Sequence, residues 1–154
     1  MMADENMTVM AKRRPLRILL VEDTPEHADI IIRSLEQLEY KPQVTWSPDG
    51  SAALKLLLGD PKNQNLPDII LLDIKMPRVD GFEVLSILKN NERLKVIPII
   101  MLSTTTSQEE ISKSYVLGAN SYIIKPIGFK ELVSVMRDFE KYWGHINQNP
   151  LVIR

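Results

Sequence analysis

Three acids stand at the ends of apolar runs in this chain: Glu22 and Asp23 follow LRILLV at 16–21, and Asp73 closes DIILLD at 68–73. A short apolar run ending in acids suits a buried strand that delivers them to its C-terminal edge. Carboxylates that converge there without a neutralising partner repel one another, which raises a pKa or calls for a cation. A hard, oxygen-preferring divalent ion resolves the repulsion. Mg2+ takes one or two carboxylates, keeps several waters and binds phosphate oxygens. Ser103 and Lys125 close two further apolar runs, so a hydroxyl and an ammonium face the acids. An acid cluster, one carboxylate as acceptor, a hydroxyl and a lysine are parts that phosphoryl transfer uses, because that chemistry rests on positioning and charge neutralisation. A carboxylate nucleophile needs no external base.

The elements that must position these groups alternate along the chain. Strands are predicted at 16–21, 44–46, 68–73, 97–102 and 121–124, from short apolar runs bounded by turn residues. Helices are predicted from Pro25, capped by Thr24, to near Tyr40; from Pro48 to Leu58; from about Phe82 to Lys89; from Ser107 to Leu117, closed by Gly118; and from Gly128 to about His145. Five strand-helix units in alternation call for an α/β fold, a doubly wound parallel sheet covered on both faces by right-handed crossovers. In the order 2-1-3-4-5 the switch point lies between the first and third strands, where Glu22, Asp23 and Asp73 would meet.

Composition narrows the function classes. The 154 residues suit one domain, expected at 15–146 between tails at 1–14 and 147–154. With 44% hydrophobic and 25% charged residues the chain has an ordinary core to bury. The formal charge of -1 provides no positive field for nucleic acid or an anionic membrane. The absence of Cys excludes disulfides, thiolate metal sites and a Cys nucleophile. The N-terminal stretch lacks the apolar segment of a secretory signal, and no apolar run approaches the roughly 20 residues of a membrane span. A soluble cytoplasmic protein is expected.

The motifs VEDTP at 21–25, LLDIKMPRVDGFEVL at 71–85, IIMLS ending at Ser103 and GANSYIIKP at 118–126 resemble the receiver domain of two-component response regulators, over about Leu16 to Tyr142. The resemblance implies a flavodoxin-like receiver fold. It also implies that Asp73 is the phosphoacceptor, and that Asp23, Asp73 and the Lys75 backbone carbonyl hold Mg2+, with Glu22 acting through water. Ser103 would bind a phosphoryl oxygen and Lys125 would pair with the phosphoryl group. The Lys125-Pro126 peptide would be cis, and Tyr122 would be the rotating aromatic switch. At the position after Ser103, where the family usually has a small Ala, this chain has Thr104.

The long loop before Asp68, SQEEI at 107–111, LGANSYIIKPIGFKEL at 117–132 and the aromatic pair Tyr142-Trp143 are similar to the small response regulators that partner bacterial and cyanobacterial phytochromes. That likeness implies a light-sensing histidine kinase as phosphodonor. The family resemblance puts His27, Ile30 and Ile127 on the surface that receives the kinase. His27 one helical turn after Asp23 could suggest a metal pair, but Mg2+ prefers oxygen.

The last helix carries two apolar stripes. Phe129, Leu132, Val133 and Met136 would face the core, and Val135, Phe139, Tyr142 and Ile146 would form a homodimer face. Two alternatives to a phosphorylation switch stand beside it. One is a scaffold that binds its partner without being phosphorylated. The other is an Asp-nucleophile phosphohydrolase of the haloacid dehalogenase type, which carries a second acid two residues after the nucleophile, where this chain has Lys75.

Overall fold

A computed structural model of the chain describes residues 14–59, 62 and 65–150. Residues 1–13 of the predicted tail at 1–14, and residues 151–154, lie outside the described residues. The five strands are β1 (Arg17–Val21), β2 (Gln43–Ser47), β3 (Ile69–Leu72), β4 (Ile99–Ser103) and β5 (Ser121–Ile124), and the helices are α1 (Pro25–Glu36), α2 (Gly50–Leu58), α3 (Gly81–Lys89), α4 (Gln108–Val116) and α5 (Phe129–Lys141). A π-helical turn, Tyr142–Ile146, extends α5. All pairings are parallel and the order is β2-β1-β3-β4-β5, as the alternation predicts.

Successive side chains of a strand point to opposite faces, and the two core layers follow that period. Leu19, Val21, Ile70, Leu72, Ile99 and Met101 pack with Ala53, Leu57, Val84, Leu85 and Leu88 of α2 and α3. Ile18, Leu20, Ile69, Leu71, Ile100 and Leu102 pack with Ile31, Leu35, Leu132, Met136 and Phe139 of α1 and α5. The continuous apolar runs of β1, β3 and β4 are therefore explained by burial on both faces.

Three helix starts, those of α2, α3 and α4, are set by side-chain caps. Asp49 accepts from the Ala52 N–H (2.6 Å), Asp80 from Glu83 (3.0 Å) and Ser107 from Glu110 (3.4 Å). With Asp49 as cap, α2 begins at Gly50 rather than at Pro48. Thr24 occupies the cap position of α1 with Pro25, pre-set for a helix start, at the first helical position, but its side chain makes no cap bond. The helix ends at Glu36, not near Tyr40, because Gln37 and Leu38 donate three residues back, to Ser34 (3.3 Å) and Leu35 (3.2 Å), and tighten the chain into a turn. Gly118 follows α4 with φ 108°, the left-handed closure expected there.

The two stripes of α5 are not divided as predicted. Phe139 is buried and Val135 half-buried, both against the α1-facing core, while Phe129 is exposed. Leu132, Met136 and Phe139 recur at four and three residues and form the inward stripe, with Val135 on its flank. The π turn then changes the register, closed by Asn147 N–H to the Tyr142 carbonyl at 2.6 Å, so the exposed Tyr142 and Ile146 do not continue Phe139. Val135, Phe139, Tyr142 and Ile146 therefore do not form one continuous exposed face.

Candidate functional site

Every sequence-predicted acid of the site lies at the C-terminal edge of β1 or β3. Glu22 follows β1 directly, tied to β2 by its N–H on the Ser47 carbonyl (3.1 Å), and Asp73 follows β3, its N–H on the Val21 carbonyl (3.0 Å). One carboxylate oxygen from each of Glu22, Asp23 and Asp73 lies within 4.8 Å of the others. Glu22 is only 1% exposed. Its Oε2 accepts from Lys125 Nζ at 2.9 Å and its Oε1 from the Thr24 N–H at 3.2 Å. Asp73 Oδ1 accepts from the Ile74 N–H at 2.9 Å and stands 3.8 Å from the Lys125 ammonium.

The balance of charge in this crevice is negative. Asp73 is raised from 3.8 to about 6, chiefly by burial, against the pull of Lys125, with Glu22 and then Asp23 adding repulsion. Three carboxylates sharing one nearby ammonium form an oxygen-only donor set with unmet negative charge. That is the donor chemistry a hard divalent cation takes, so the residues present fit such an ion.

The other predicted groups converge on the same edge. Ser103 is buried at the end of β4; its carbonyl accepts from the Lys125 N–H (2.8 Å) and its hydroxyl from the Thr105 N–H (3.2 Å). Tyr122, half-buried on β5, donates its hydroxyl to the Thr105 carbonyl at 3.0 Å. Burial pushes its phenol up, while the neighbouring Ser103 hydroxyl opposes that. Thr104 and Lys75 are exposed. The Lys125-Pro126 peptide is trans, contrary to expectation. Trans is the lower-energy isomer of an X-Pro bond, and in this conformation the Lys125 ammonium already reaches both Glu22 and Asp73.

His27, Ile30 and Ile127 line one groove of about 610 Å3 beside the site, with Ile124, Phe129 and Leu132. Ile30 and Ile127 are exposed, and His27 Nδ1 stands 3.7 Å from Glu22 Oε1. The groove and the acid crevice therefore share Lys125 as a common wall.

Two contributors escaped the sequence reading. A Cβ at Gly81 would collide with the Asp73 carbonyl oxygen, and the Gly81 N–H donates to the Ile74 carbonyl at 2.8 Å, so this glycine lets α3 begin against the turn that holds Asp73. The Asp-Gly pair before an apolar helix was the available signal. The Trp46 indole donates to the Glu22 carbonyl at 2.8 Å, a contact across 24 residues that spacing alone does not reveal.

A doubly wound sheet of this order, carrying three acids, a hydroxyl and a lysine at its carboxyl edge, defines the class of phosphoryl-accepting receiver domains. A family model, the response regulator receiver domain, matches residues 18–137, and the chain belongs to that family. It is 41% identical over 143 residues to the probable methanogenesis regulatory protein FilR2 of Methanothrix harundinacea, covering 92% of each chain. It is 34% identical over 131 residues to response regulator Rcp1 of Synechocystis, covering 84% of this chain and 89% of that one. The crystal structure of the phosphorylated cyanobacterial phytochrome response regulator RcpA superposes with a TM-score of 0.80 at 32% identity, over 89% of this chain and 99% of that one. A Mn2+-bound form of Rcp1 superposes at 0.78, with 32% identity over 88% and 99%. Among the described residues no helix is long and apolar enough to cross a membrane.

Proposed function

We propose that Asp73 accepts a phosphoryl group from the phosphohistidine of a sensor kinase, in a Mg2+-dependent reaction, and that the resulting charge switches the face formed by α4 and α5. Asp23, Asp73 and the Lys75 backbone carbonyl would hold the ion, with Glu22 acting through water. Bound there, Mg2+ supplies charge neutralisation for the phosphoryl oxygens. The observation that carries the reading is the convergence of three carboxylates on one ammonium, with Asp73 poised at about 6.

Asp73 attacks phosphorus as its carboxylate, and the donor imidazole leaves with the bonding pair. Lys125 sits 0.9 Å closer to Glu22 than to Asp73, at 2.9 Å against 3.8 Å. The acyl phosphate formed at Asp73 carries about 1.5 to 2 negative charges in place of the carboxylate's one, and carries them further from the backbone, which draws the ammonium across. The Ser103 hydroxyl would take a phosphoryl oxygen, releasing the Thr105 N–H it now accepts from. Because Tyr122 donates to the carbonyl of that same Thr105, movement of the 103–105 segment passes to Tyr122 and the start of α4. Thr104, in that segment, brings more bulk than the family's usual Ala.

The kinase would dock in the groove of His27, Ile30 and Ile127, beside Lys125. Its likeness to RcpA and Rcp1 supports a phytochrome-type kinase. A second reading is favoured by the 41% identity to a regulator named for methanogenesis, whose kinase need not sense light. The exposed Tyr142 and Ile146 support self-association as the output, in a cytoplasmic protein that works without nucleic acid or membrane and is no enzyme beyond its own phosphorylation and dephosphorylation.

Phosphotransfer profiling against purified kinases of both kinds, with size-exclusion chromatography before and after, tests the reading. Rapid transfer from one kinase and a change in elution are expected. Transfer from none, with no response to beryllofluoride as a phosphoryl mimic, would leave the unphosphorylated scaffold.

A further inference from the structure

Trp46 lies on the edge strand β2, 40% exposed, and its indole N–H donates to the Glu22 carbonyl at 2.8 Å. The ladder between β1 and β2 ends at Val21 and Ser47, with one further backbone bond from the Glu22 N–H to the Ser47 carbonyl. In a parallel ladder the next donor, for the Glu22 carbonyl, would be the N–H of Asp49. By Asp49 the chain has turned away to cap α2. The indole supplies the missing donor.

That carbonyl belongs to the peptide joining Glu22 to Asp23. Its direction fixes the plane from which both acids leave the backbone. Glu22 is held by its own side-chain bonds, to Lys125 and the Thr24 N–H. No comparable side-chain bond holds Asp23 among the described residues, so its aim depends on the peptide that precedes it.

We infer that Trp46 is a positioning residue for the divalent-cation site, orienting Asp23 toward Asp73 by anchoring the Glu22-Asp23 peptide. This rests on the reading of the acid crevice as a cation site. A hydrogen bond of this kind contributes on the order of a few-fold to tenfold in an equilibrium constant.

The test is calorimetric titration with Mg2+ and with Mn2+ of wild type, Trp46→Phe and Asp23→Asn. Trp46→Phe keeps an aromatic ring and removes the donor. It should weaken both ions by about three- to tenfold. Phosphoryl uptake from acetyl phosphate should fall at low Mg2+ and return to within about twofold of wild type at saturation, a split between affinity and rate that follows from uniform binding. Unchanged ion affinity with a lowered melting temperature would make Trp46 a structural brace and overturn the inference. Binding by Asp23→Asn equal to wild type, or none by wild type, would instead overturn the cation site itself.

Should Trp46→Phe fail to fold, a second measurement decides. The chain has two tryptophans, so Trp143→Phe leaves Trp46 as the sole emitter. Its fluorescence should change saturably with Mg2+, at the calorimetric midpoint. A spectrum indifferent to Mg2+ would contradict the inference.

Discussion

The two edges of the sheet handle buried charge in opposite ways. At the N-terminal edge Asp68 is 0% exposed, and its carboxylate is fully engaged: Arg14 forks onto both oxygens at 2.7 and 2.6 Å, and the Arg17 N–H adds a third bond at 2.9 Å. Nearby, Glu140 faces His145 at 2.9 Å; burial pushes its carboxyl up and His145 pulls it back. The Lys89 ammonium is held by the Lys95 and Ile97 carbonyls and Asn120 Oδ1, at 3.0 to 3.1 Å, and burial lowers its pKa. At the C-terminal edge three acids share Lys125. One edge is closed by matched partners and stabilises the fold; the other carries unmatched negative charge, which favours an incoming cation and phosphoryl group over further packing.

This contrast can be broken at either edge. Lys125→Ala removes the cation of the unmatched edge, and phosphoryl uptake from acetyl phosphate should fall about a hundredfold, measured under saturating Mg2+. Asp68→Ala strands the partly exposed Arg14 and should cost about 2 to 4 kcal/mol in urea denaturation, with uptake per folded molecule unchanged. An equal loss of uptake in the Asp68 variant would erase the division of labour.

The unmatched edge also sets a pH dependence. An unfolded aspartate ionises at 3.8 and Asp73 at about 6, so the native state binds more protons between those values. The stability Asp73 contributes is present below the lower value and is lost as pH rises through the upper one. The melting temperature of metal-free wild type should therefore fall relative to Asp73→Asn across this window, and Mg2+ should restore it only toward and above pH 6. The smallest effect belongs to a helix cap: Asp80→Ala removes the bond to the Glu83 N–H and should cost about 1 kcal/mol by denaturation.

Much of this architecture could be read from local pattern. The bounds of β5 coincide with expectation because SYII is an apolar run set between Asn120 and the Lys-Pro step, and the acids of β1 and β3 announce themselves by closing their runs. Where sequence reading went astray, distant partners decide. Asp68 looks like the first residue of a strand, yet it precedes β3 and is claimed by Arg14 across 54 residues, a residue assigned by sequence to a solvated tail. Asn149, assigned to the other tail, is buried and donates to the Asp68 carbonyl at 2.6 Å. In α5 apolar residues spaced at three and four fit two adjoining stripes, so spacing alone did not assign Phe139 inward, and the π turn alters the period only after Lys141, at Tyr142 and Ile146. Trp46 gave no sign of its partner, since an aromatic on an edge strand is equally at home as surface packing.

The central claim is that Asp73 is the phosphoacceptor of the unmatched edge. Intact-mass measurement after incubation with acetyl phosphate, with and without Mg2+, tests it most directly when wild type and Asp73→Asn are run side by side. Wild type should gain one phosphoryl group in the presence of Mg2+ and none after chelation, and Asp73→Asn should gain none in either case. Uptake by Asp73→Asn equal to that of wild type would contradict the claim.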